Sequence, residues 1–394
     1  MDTRMACTAL ALLGLVGCFP SGPDLPDDRQ PRGVRVLGAL SQPASGAPGA
    51  ELALSLEVFD AAPLLVDLRR AVAAQNPELV IDPAQLADAP GGPLSVAWLG
   101  GCHNPPGDAQ SGCYPLLQEI VTNLPDPLPE PGAVIPAELA RFFGVGQMFS
   151  LRIPDDILAG RQLDTAAPAF GVSFTFFAVC RGVLRPDPAA AGVPLRCHDR
   201  ESDELLGAEA FVRGFVTTYT YEGSLNSAPE LLGATLDGAE PPQRACASDD
   251  DCADLALGQL PFACGRPLAP TFSVDGVPAP LRCLPRVAPC NSLPCARHEL
   301  LPQLAESSVE LDPAATPPGG AAPDEVVWVK YFGFGGFERD EALINDRASG
   351  FNPDYALSWS APPLALETPL PVWAVVQDNR GGTSIARWDF LVRE

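Results

Sequence analysis

The sequence is short of basic side chains. Its 394 residues include a single lysine, Lys330, and 49 acids stand against 25 lysines and arginines, which gives a net charge of −24. Binding to nucleic acid needs a basic patch that displaces counterions from phosphates, and the sequence shows none. We therefore expect no nucleic-acid partner.

Familiar catalytic motifs are also missing. No G-x-S-x-G, P-loop or dinucleotide-binding fingerprint occurs. The three histidines, His103, His198 and His298, each lie close to a cysteine, which would suit zinc. In an oxidising compartment those thiols would be paired instead, and "HELLP" at 298–302 lacks the second histidine of a metalloprotease helix. We therefore predict neither a catalytic residue nor a zinc site.

No apolar run is long enough to cross a bilayer as a helix, which takes about 20 residues. The run nearest the start, residues 6–17, has 12 residues and follows Arg4. A short apolar run after a positive start is typical of a secretion signal. We predict a signal peptide over residues 1–17.

The end of this run carries a resemblance. "LVGC", residues 15–18, resembles the lipobox of bacterial lipoproteins, in which the cysteine becomes the new N-terminus and carries diacylglycerol. The resemblance implies that Cys18 is lipidated and that the membrane is a partner through this anchor. Phe19 is not the aspartate that in some lipoproteins signals inner-membrane retention, so the resemblance favours the outer membrane of the cell envelope.

The residues after the cysteine form a tether. "FPSGPDLPDDRQPRG", residues 19–33, is rich in proline, glycine and acids and has few apolar residues to pack. Such a segment acts as an extended spacer, so we assign residues 18–33 to the lipidated cysteine and a flexible tether.

Ten cysteines remain after Cys7 and Cys18, and an even number in an exported chain predicts disulfides. Two pairs are close in sequence, Cys102 with Cys113 and Cys180 with Cys197. Six more crowd into residues 246–295, where 15 connectivities are possible and the sequence does not choose among them. These six are Cys246, Cys252, Cys264, Cys283, Cys290 and Cys295.

Strand patterns dominate the rest of the chain. The 45 prolines and 36 glycines disfavour long helices, and short runs with period-two alternation end at Gly/Pro turns. We predict a mainly β fold of two Ig-like β-sandwich domains, 34–225 and 226–394. The first domain carries helical insertions at 63–75, 115–123 and 135–144, and the second carries a Cys-rich insert over 244–300.

The last segment supports this assignment by resemblance. "WAVVQDNRGGTSIARWDFLV" resembles the final hairpin of Ig-like and PKD-like repeats of bacterial surface proteins, with Asp378, Gly381 and Gly382 shaping its turn. The whole layout resembles bacterial lipoproteins that are mostly uncharacterised.

An acidic loop offers a candidate metal site. "CASDDDCADL", residues 246–255, holds Asp249, Asp250, Asp251 and Asp254, and calcium prefers carboxylate oxygens. The spacing lacks the central glycine and final glutamate of an EF-hand. The loop more closely resembles the openings of small disulfide-rich modules, whose acids cap turns. We expect turn capping, keep calcium as the alternative, and predict no other cofactor.

A glycine-rich segment offers a candidate binding patch. "KYFGFGGFERDE", residues 330–341, should leave strand conformation at 333–336, because glycines there weaken strand pairing. Phe334 and Phe337 then either fold back into the core or form an exposed aromatic patch bordered by charge, which usually marks an interaction site.

Two classes of function remain. The first is a non-enzymatic envelope lipoprotein that binds an unidentified protein or glycan or serves as a scaffold. The second is a hydrolase-type envelope enzyme whose site is built from scattered carboxylates. We favour the first, because β-sandwich folds often display binding surfaces, although fold alone does not establish function.

Overall fold

A computed structural model describes residues 33–75, 94–161, 169–223, 226–267, 279–317, 320–363, 365–366 and 368–393. The predicted signal peptide, Cys18 and nearly all of the predicted tether lie outside the described residues. Residue 225, where the predicted first domain ends, also lies outside them.

The first half of the chain forms two sheets and a hairpin. Sheet A has the order β1-β2-β5, sheet B has the order β4-β3-β6-β9, and β7 pairs with β8. The strands are β1 (Val34–Gln42), β2 (Glu51–Asp60), β3 (Ser95–His103), β4 (Phe143–Val145), β5 (Met148–Arg152), β6 (Phe170–Cys180), β7 (Val183–Pro186), β8 (Leu195–His198) and β9 (Phe211–Tyr221).

Sheet B is covered on both faces. One face packs on sheet A through a core that includes Leu54, Trp98 and Phe177. The other face packs under a helix and the β7–β8 hairpin, in a core that includes Leu117 and Phe176. This double cover explains why all but one of the residues of β6 are buried, as the apolar run at 169–180 predicts.

The second half also forms two sheets. Sheet C has the order β10-β14-β19-β16, and sheet D has eight strands in the order β11-β12-β13-β21-β20-β15-β17-β18. The strands are β10 (Leu231–Leu236), β11 (Ala256–Leu257), β12 (Leu260–Gly265), β13 (Arg282–Val287), β14 (His298–Leu304), β15 (Val327–Gly333), β16 (Gly336–Phe337), β17 (Glu341–Asp346), β18 (Gly350–Phe351), β19 (Leu357–Ser360), β20 (Leu370–Asp378) and β21 (Thr383–Val392).

Sheets C and D enclose the largest core. Trp359 of sheet C stacks on Phe390 of sheet D, with ring centroids 4.5 Å apart. Strand β15 alternates as the sequence predicts: Val327, Val329 and Tyr331 are buried, whereas Trp328, Lys330 and Phe332 are not. The prediction of a mainly β fold built from stacked sheets is confirmed.

Helices are few and short, also as predicted. Among the described residues they are α1 (Ala62–Gln75), α2 (Tyr114–Thr122) and α3 (Ala137–Ala140), together with single 3₁₀ turns. The helix expected over 135–144 is reduced to the four residues of α3, and the chain then enters β4. None of the described helices is long and apolar enough to span a membrane.

All ten cysteines that follow Cys18 are paired. Both predicted local bridges form, Cys102–Cys113 and Cys180–Cys197. In the Cys-rich segment the bridges are Cys246–Cys264, Cys252–Cys283 and Cys290–Cys295. The Cys-rich segment is joined to the second sandwich, which sheets C and D form, because its strand β13 pairs in parallel with β21 of sheet D. Its predicted last residues, 298–300, begin β14 of sheet C.

The β1–β2 hairpin contacts both sandwiches. Its Leu54 and Leu56 belong to the core between sheets A and B. Its Leu37 and Phe59 belong to the core of the second sandwich. The Phe59 and Trp373 rings lie 4.6 Å apart, so the hairpin packs against sheet D as well.

Candidate functional site

A groove of about 520 Å³ lies where the Cys-rich segment meets the outer face of β21. This volume falls within the range of small-molecule sites, about 300–1,000 Å³. Proline and charged side chains line it together, among them Pro241, Pro280, Arg282, Pro285, Arg387 and Asp389.

The alternation of β21 places two of these charges. Ala386, Trp388 and Phe390 are buried in the core of the second sandwich, so Arg387 and Asp389 between them point away from that core. The parallel pairing of Arg286 with Leu391 brings β13 alongside, and with it Arg282 at the start of that strand.

The charges in the groove are partly neutralised by one another. Arg387 Nη2 lies 2.6 Å from Asp389 Oδ1, and Arg282 Nη1 donates to Gln243 Oε1 at 3.1 Å. Burial raises the pKa of Asp389, while the charge and hydrogen bond of Arg387 and the charge of Arg282 lower it. Burial also raises the pKa of Glu57 on β2, and Arg387 again opposes the shift.

This arrangement suits recognition of a polar ligand. The arginines offer donors, Asp389 offers an acceptor, and the prolines provide rigid apolar walls. Asp389 is engaged by a guanidinium at 2.6 Å, which favours a positioning or recognition role over that of a general base.

The groove residues were not predicted from the sequence. In "SIARWDFLV" the alternation puts Arg387 and Asp389 on one face, and that pair of opposite charges is a signal in the sequence that indicates a polar site. Arg282 could not have been added, because its place depends on pairing between distant segments.

Of the four aspartates of the acidic loop, Asp251 accepts the hydrogen bonds that cap the turn. Asp251 accepts from the N–H groups of Ala247 and Ser248 at 2.7 and 3.0 Å, and these hydrogen bonds lower its pKa. Asp249 accepts from Cys264 N at 2.8 Å. Asp254 pairs with Arg244 at 2.6 Å, and Asp250 lies with Asp249 and Asp251 in the single 3₁₀ turn that Ser248 caps.

Within the described part of the chain, one group of three possible ligand atoms lies close together, Cys246, Cys252 and Cys283. All three are disulfide-bonded, so they do not offer thiolates. The described carboxylates of the loop are not among such groups, and calcium binding there stays an untested alternative.

The histidines are held by neighbouring side chains and backbone. His103 Nδ1 lies 2.8 Å from Ser173 Oγ, His198 Nδ1 lies 2.9 Å from the Asp203 carbonyl, and His298 Nδ1 lies 3.0 Å from Asp237 Oδ2. Burial lowers the pKa of His103, partly offset by the charge of Asp156. The three histidines lie in different strands, β3, β8 and β14, and the adjacent cysteines are in disulfides.

The sequence left open whether Phe334 is exposed or buried, and the expectation of an exposed aromatic patch is wrong for this residue. Strand β15 ends at Gly333 as expected, but Phe334 is only 5% exposed and Phe337 is half-buried. The Phe334 ring lies 6.4 Å from that of Phe59, and its carbonyl accepts from Trp359 Nε1 at 2.8 Å. Both phenylalanines pack with the core, which is the other outcome that the sequence left open.

The predicted turn of the last hairpin is confirmed and lies in a buried polar cluster. Asp378 Oδ1 accepts from Arg380 N and Gly382 N, both at 2.8 Å, and Gly381 has φ +96°. We call Asn226, Glu310, Glu325, Asp378 and Arg380 the junction cluster. Arg380 is 2% exposed, its Nη1 lies 3.3 Å from Glu310 Oε2, and its guanidinium lies 5.0 Å from the ring centre of Tyr221 on β9.

Comparison with known proteins gives little. No family model matches the chain, and no curated protein matches it. Among solved structures it is similar to trypsin-activated alpha-2-macroglobulin from Escherichia coli, with 9% identity, a TM-score of 0.16, and coverage of 91% of this chain and 17% of that one. It is also similar to a chimeric titin Z1Z2 tandem functionalised with a fibronectin GRGDS peptide, with 10% identity, a TM-score of 0.17, and coverage of 89% of this chain and 95% of that one. Both TM-scores are too low to support an argument about fold or function.

Proposed function

We propose that the chain is a lipid-anchored protein of the bacterial cell envelope, a non-enzymatic binding or scaffold module displayed from the membrane. The observation that carries the proposal is the set of five disulfides in the folded body. Disulfides at this density are typical of proteins that fold in an oxidising compartment, and export through a lipobox would deliver the chain there.

Anchoring through Cys18 fits the rest of the chain. The acidic body is repelled by anionic phospholipid, so the acyl chains supply the membrane affinity, at roughly 0.8 kcal/mol per buried methylene. The Phe19 position favours the outer membrane. The Ig-like and PKD-like character of the sandwiches stays a prediction.

Binding is favoured over hydrolysis by how the polar side chains are used. The histidines are bonded within the fold, and the groove carboxylate Asp389 is paired with Arg387. Groups held in this way can present a fixed surface to a protein or glycan partner, and the prolines beside Arg282 make that surface rigid.

Substitution of the predicted lipidation site tests the anchor. We expect Cys18→Ala to move the protein from the membrane fraction to the soluble periplasm or medium and to abolish labelling by radioactive palmitate. Cys7→Ala is the matched control, because Cys7 lies in the predicted signal peptide, and it should leave both results unchanged. Detergent-phase partitioning of Cys18→Ala equal to that of the wild type would contradict the proposal.

A further inference from the structure

Strand β9 is a long edge strand. It has 11 residues, Phe211–Tyr221, and β6 is its hydrogen-bonded neighbour in sheet B, whose order ends at β9. The β6–β9 pairing runs without a register shift from Phe170↔Tyr221 to Cys180↔Phe211. The edge of β9 that faces away from β6 therefore offers a continuous row of backbone N–H and C=O groups.

Hydrogen bonds at both ends of β9 show which backbone groups face outward. Just beyond one end, Glu222 N donates to Ala169 O at 3.2 Å, and just before the other, Arg181 N donates to Ala210 O at 2.9 Å. In an antiparallel pair the N–H and C=O of one residue point to the same side, and successive residues alternate. Even-numbered residues of β9 thus bond to β6, and odd-numbered residues direct their N–H and C=O away from it.

Part of this outward row is already covered by the chain itself. Glu209 O, before the strand, accepts from Val34 N at 2.8 Å. Thr217 O lies 3.1 Å from the place a Cβ on Gly381 would take, so the last hairpin covers it. Between these points Phe211, Arg213 and Phe215 have no backbone hydrogen bond on the outward side to any described residue.

The side chains of this open stretch form an apolar, cationic, apolar row. Phe215 is 44% exposed although its ring contacts Phe174 and Phe176 at 5.8 and 5.9 Å. The Arg213 guanidinium lies 5.4 Å from the ring centre of Phe211. Its Nη1 bonds only to the carbonyls of Ala191 and Val193, and no described carboxylate lies within 4.0 Å of it.

Edge strands of this kind are usually blunted. Lysine, proline or a bulge commonly protects an exposed edge from pairing with another chain. Residues 211–215, "FVRGF", contain no lysine or proline, and the register holds no bulge. Aromatic residues and arginine are moreover the residues enriched in the cores of protein interfaces.

We propose that the open edge of β9 at 211–215 binds an extended segment of a partner protein, which adds to sheet B as a further strand. The segment carries an acidic side chain opposite Arg213 and apolar side chains two residues to either side, opposite Phe211 and Phe215. The charge of Arg213, which no described carboxylate balances, selects the acid. The outward backbone groups, which no described residue bonds, select an extended peptide over a sugar. The proposal rests on the proposed binding function and names its partner class.

A peptide of the sequence Thr-Val-Thr-Asp-Thr-Val-Thr, labelled with fluorescein, is the probe, and fluorescence anisotropy with the full mature chain is the measurement. Arg213→Pro removes an outward N–H and keeps the bonds to β6, so it should weaken binding about tenfold or more. Arg213→Ala keeps the backbone donor and loses the charge, which should weaken binding about two- to fivefold. Arg152→Ala, at an exposed arginine of β5, is the matched control and should bind like the wild type.

Two further measurements keep the test decisive if Arg213→Pro fails to fold. The same peptide N-methylated at alternate residues should lose binding to the wild type, and a peptide with lysine in place of aspartate should bind more weakly. Equal affinity of the N-methylated peptide would overturn strand addition. Binding of a β-glucan oligosaccharide that is lost in Phe215→Ala and kept in Arg213→Ala would assign the row to a glycan and also overturn it. Neither result bears on the Cys18→Ala fractionation, so the two proposals fail separately.

Discussion

Glu325 is an acid without access to water. Its side chain is 0% exposed, and Oε1 accepts from Glu310 N at 3.1 Å. Burial raises its pKa from 4.5 to about 8, and the charges of Asp378 and Glu310 add to the shift, while the Glu310 hydrogen bond and the Arg380 charge oppose it. Near neutral pH the carboxyl is therefore mostly protonated, and Glu310 is the main partner of Arg380.

This shift makes stability depend on pH with a definite sign. From pH about 4.5 to about 8 the unfolded chain releases the Glu325 proton while the folded chain keeps it, so stability falls as pH rises. We expect Glu325→Gln to reduce that fall, because glutamine keeps the acceptor for Glu310 N and does not titrate. Urea unfolding at about pH 5 and about pH 8 measures the difference.

Glu306→Gln, at an exposed glutamate outside the junction cluster, is the control and should unfold with the pH dependence of the wild type. Asp378, whose pKa is also raised by burial, is present in both the wild type and Glu325→Gln. The difference in pH dependence between these two proteins therefore reports on Glu325. Identical pH dependence in the wild type and Glu325→Gln would show that the carboxyl does not hold its proton in the folded state.

At the scale of elements, the β20–β21 hairpin depends on its turn. Gly381 has φ +96°, a conformation that side chains other than glycine rarely adopt, and it covers Thr217 O of β9. We expect Gly381→Ala to destabilise the protein by about 1–3 kcal/mol through backbone strain, measured by urea unfolding. Gly207→Ala is the control, because a Cβ there meets no atom within 4 Å. Similar losses of stability in Gly381→Ala and Gly207→Ala would show that the backbone conformation at Gly381 has no special importance.

Elements with strong local patterns were predictable from the sequence. Strand β6, the alternation of β15 and helices α1 and α2 follow from apolar spacing that their own residues contain. The 135–144 segment has helical spacing over too few residues, and pairing of its last part with β3 as strand β4 overrides it. In this segment the pairing with β3 outweighs the local helical propensity.

The candidate sites were less predictable, because they combine distant segments. Phe334 is buried by Phe59, which lies more than two hundred residues earlier in the chain, and nothing in the glycine-rich segment itself signals that cover. The connectivity of the six clustered cysteines depends likewise on β12 pairing with β13, which sets Cys264 beside Cys283 in different bridges. By contrast, the hydrogen bonds of Asp251 to Ala247 N and Ser248 N join residues three and four apart, so a local pattern contains the signal for this cap.

At the scale of the whole molecule, the β1–β2 hairpin joins the two sandwiches. Phe59 contacts Trp373 at 4.6 Å, and Gly38 lies against Ile385 and Val375 of sheet D. Truncating a buried phenylalanine in such a joint typically costs about 3–5 kcal/mol. We expect Phe59→Ala to lower the stability by that amount and to separate one calorimetric unfolding transition into two.

Phe215→Ala is the matched control for this joint. Its ring is 44% exposed on the edge of sheet B, so truncation should cost less and leave a single transition. A single transition in Phe59→Ala, with a loss no greater than in Phe215→Ala, would show that the sandwiches are not coupled through this hairpin.

The position of β21 also sets an order of events during biogenesis. Residues 383–392 form the strand between β13 and β20, so the eight-stranded sheet has a gap at its centre until this stretch has been synthesised. Synthesis produces the β1–β2 hairpin first, yet the surface against which its Leu37 and Phe59 pack also needs β20 and β21, which come much later in the chain. Until then those side chains are exposed, and contacts between such distant segments form slowly. The chain should therefore need protection from aggregation until β21 has been made, and shortening it within β21 should abolish accumulation of the whole protein.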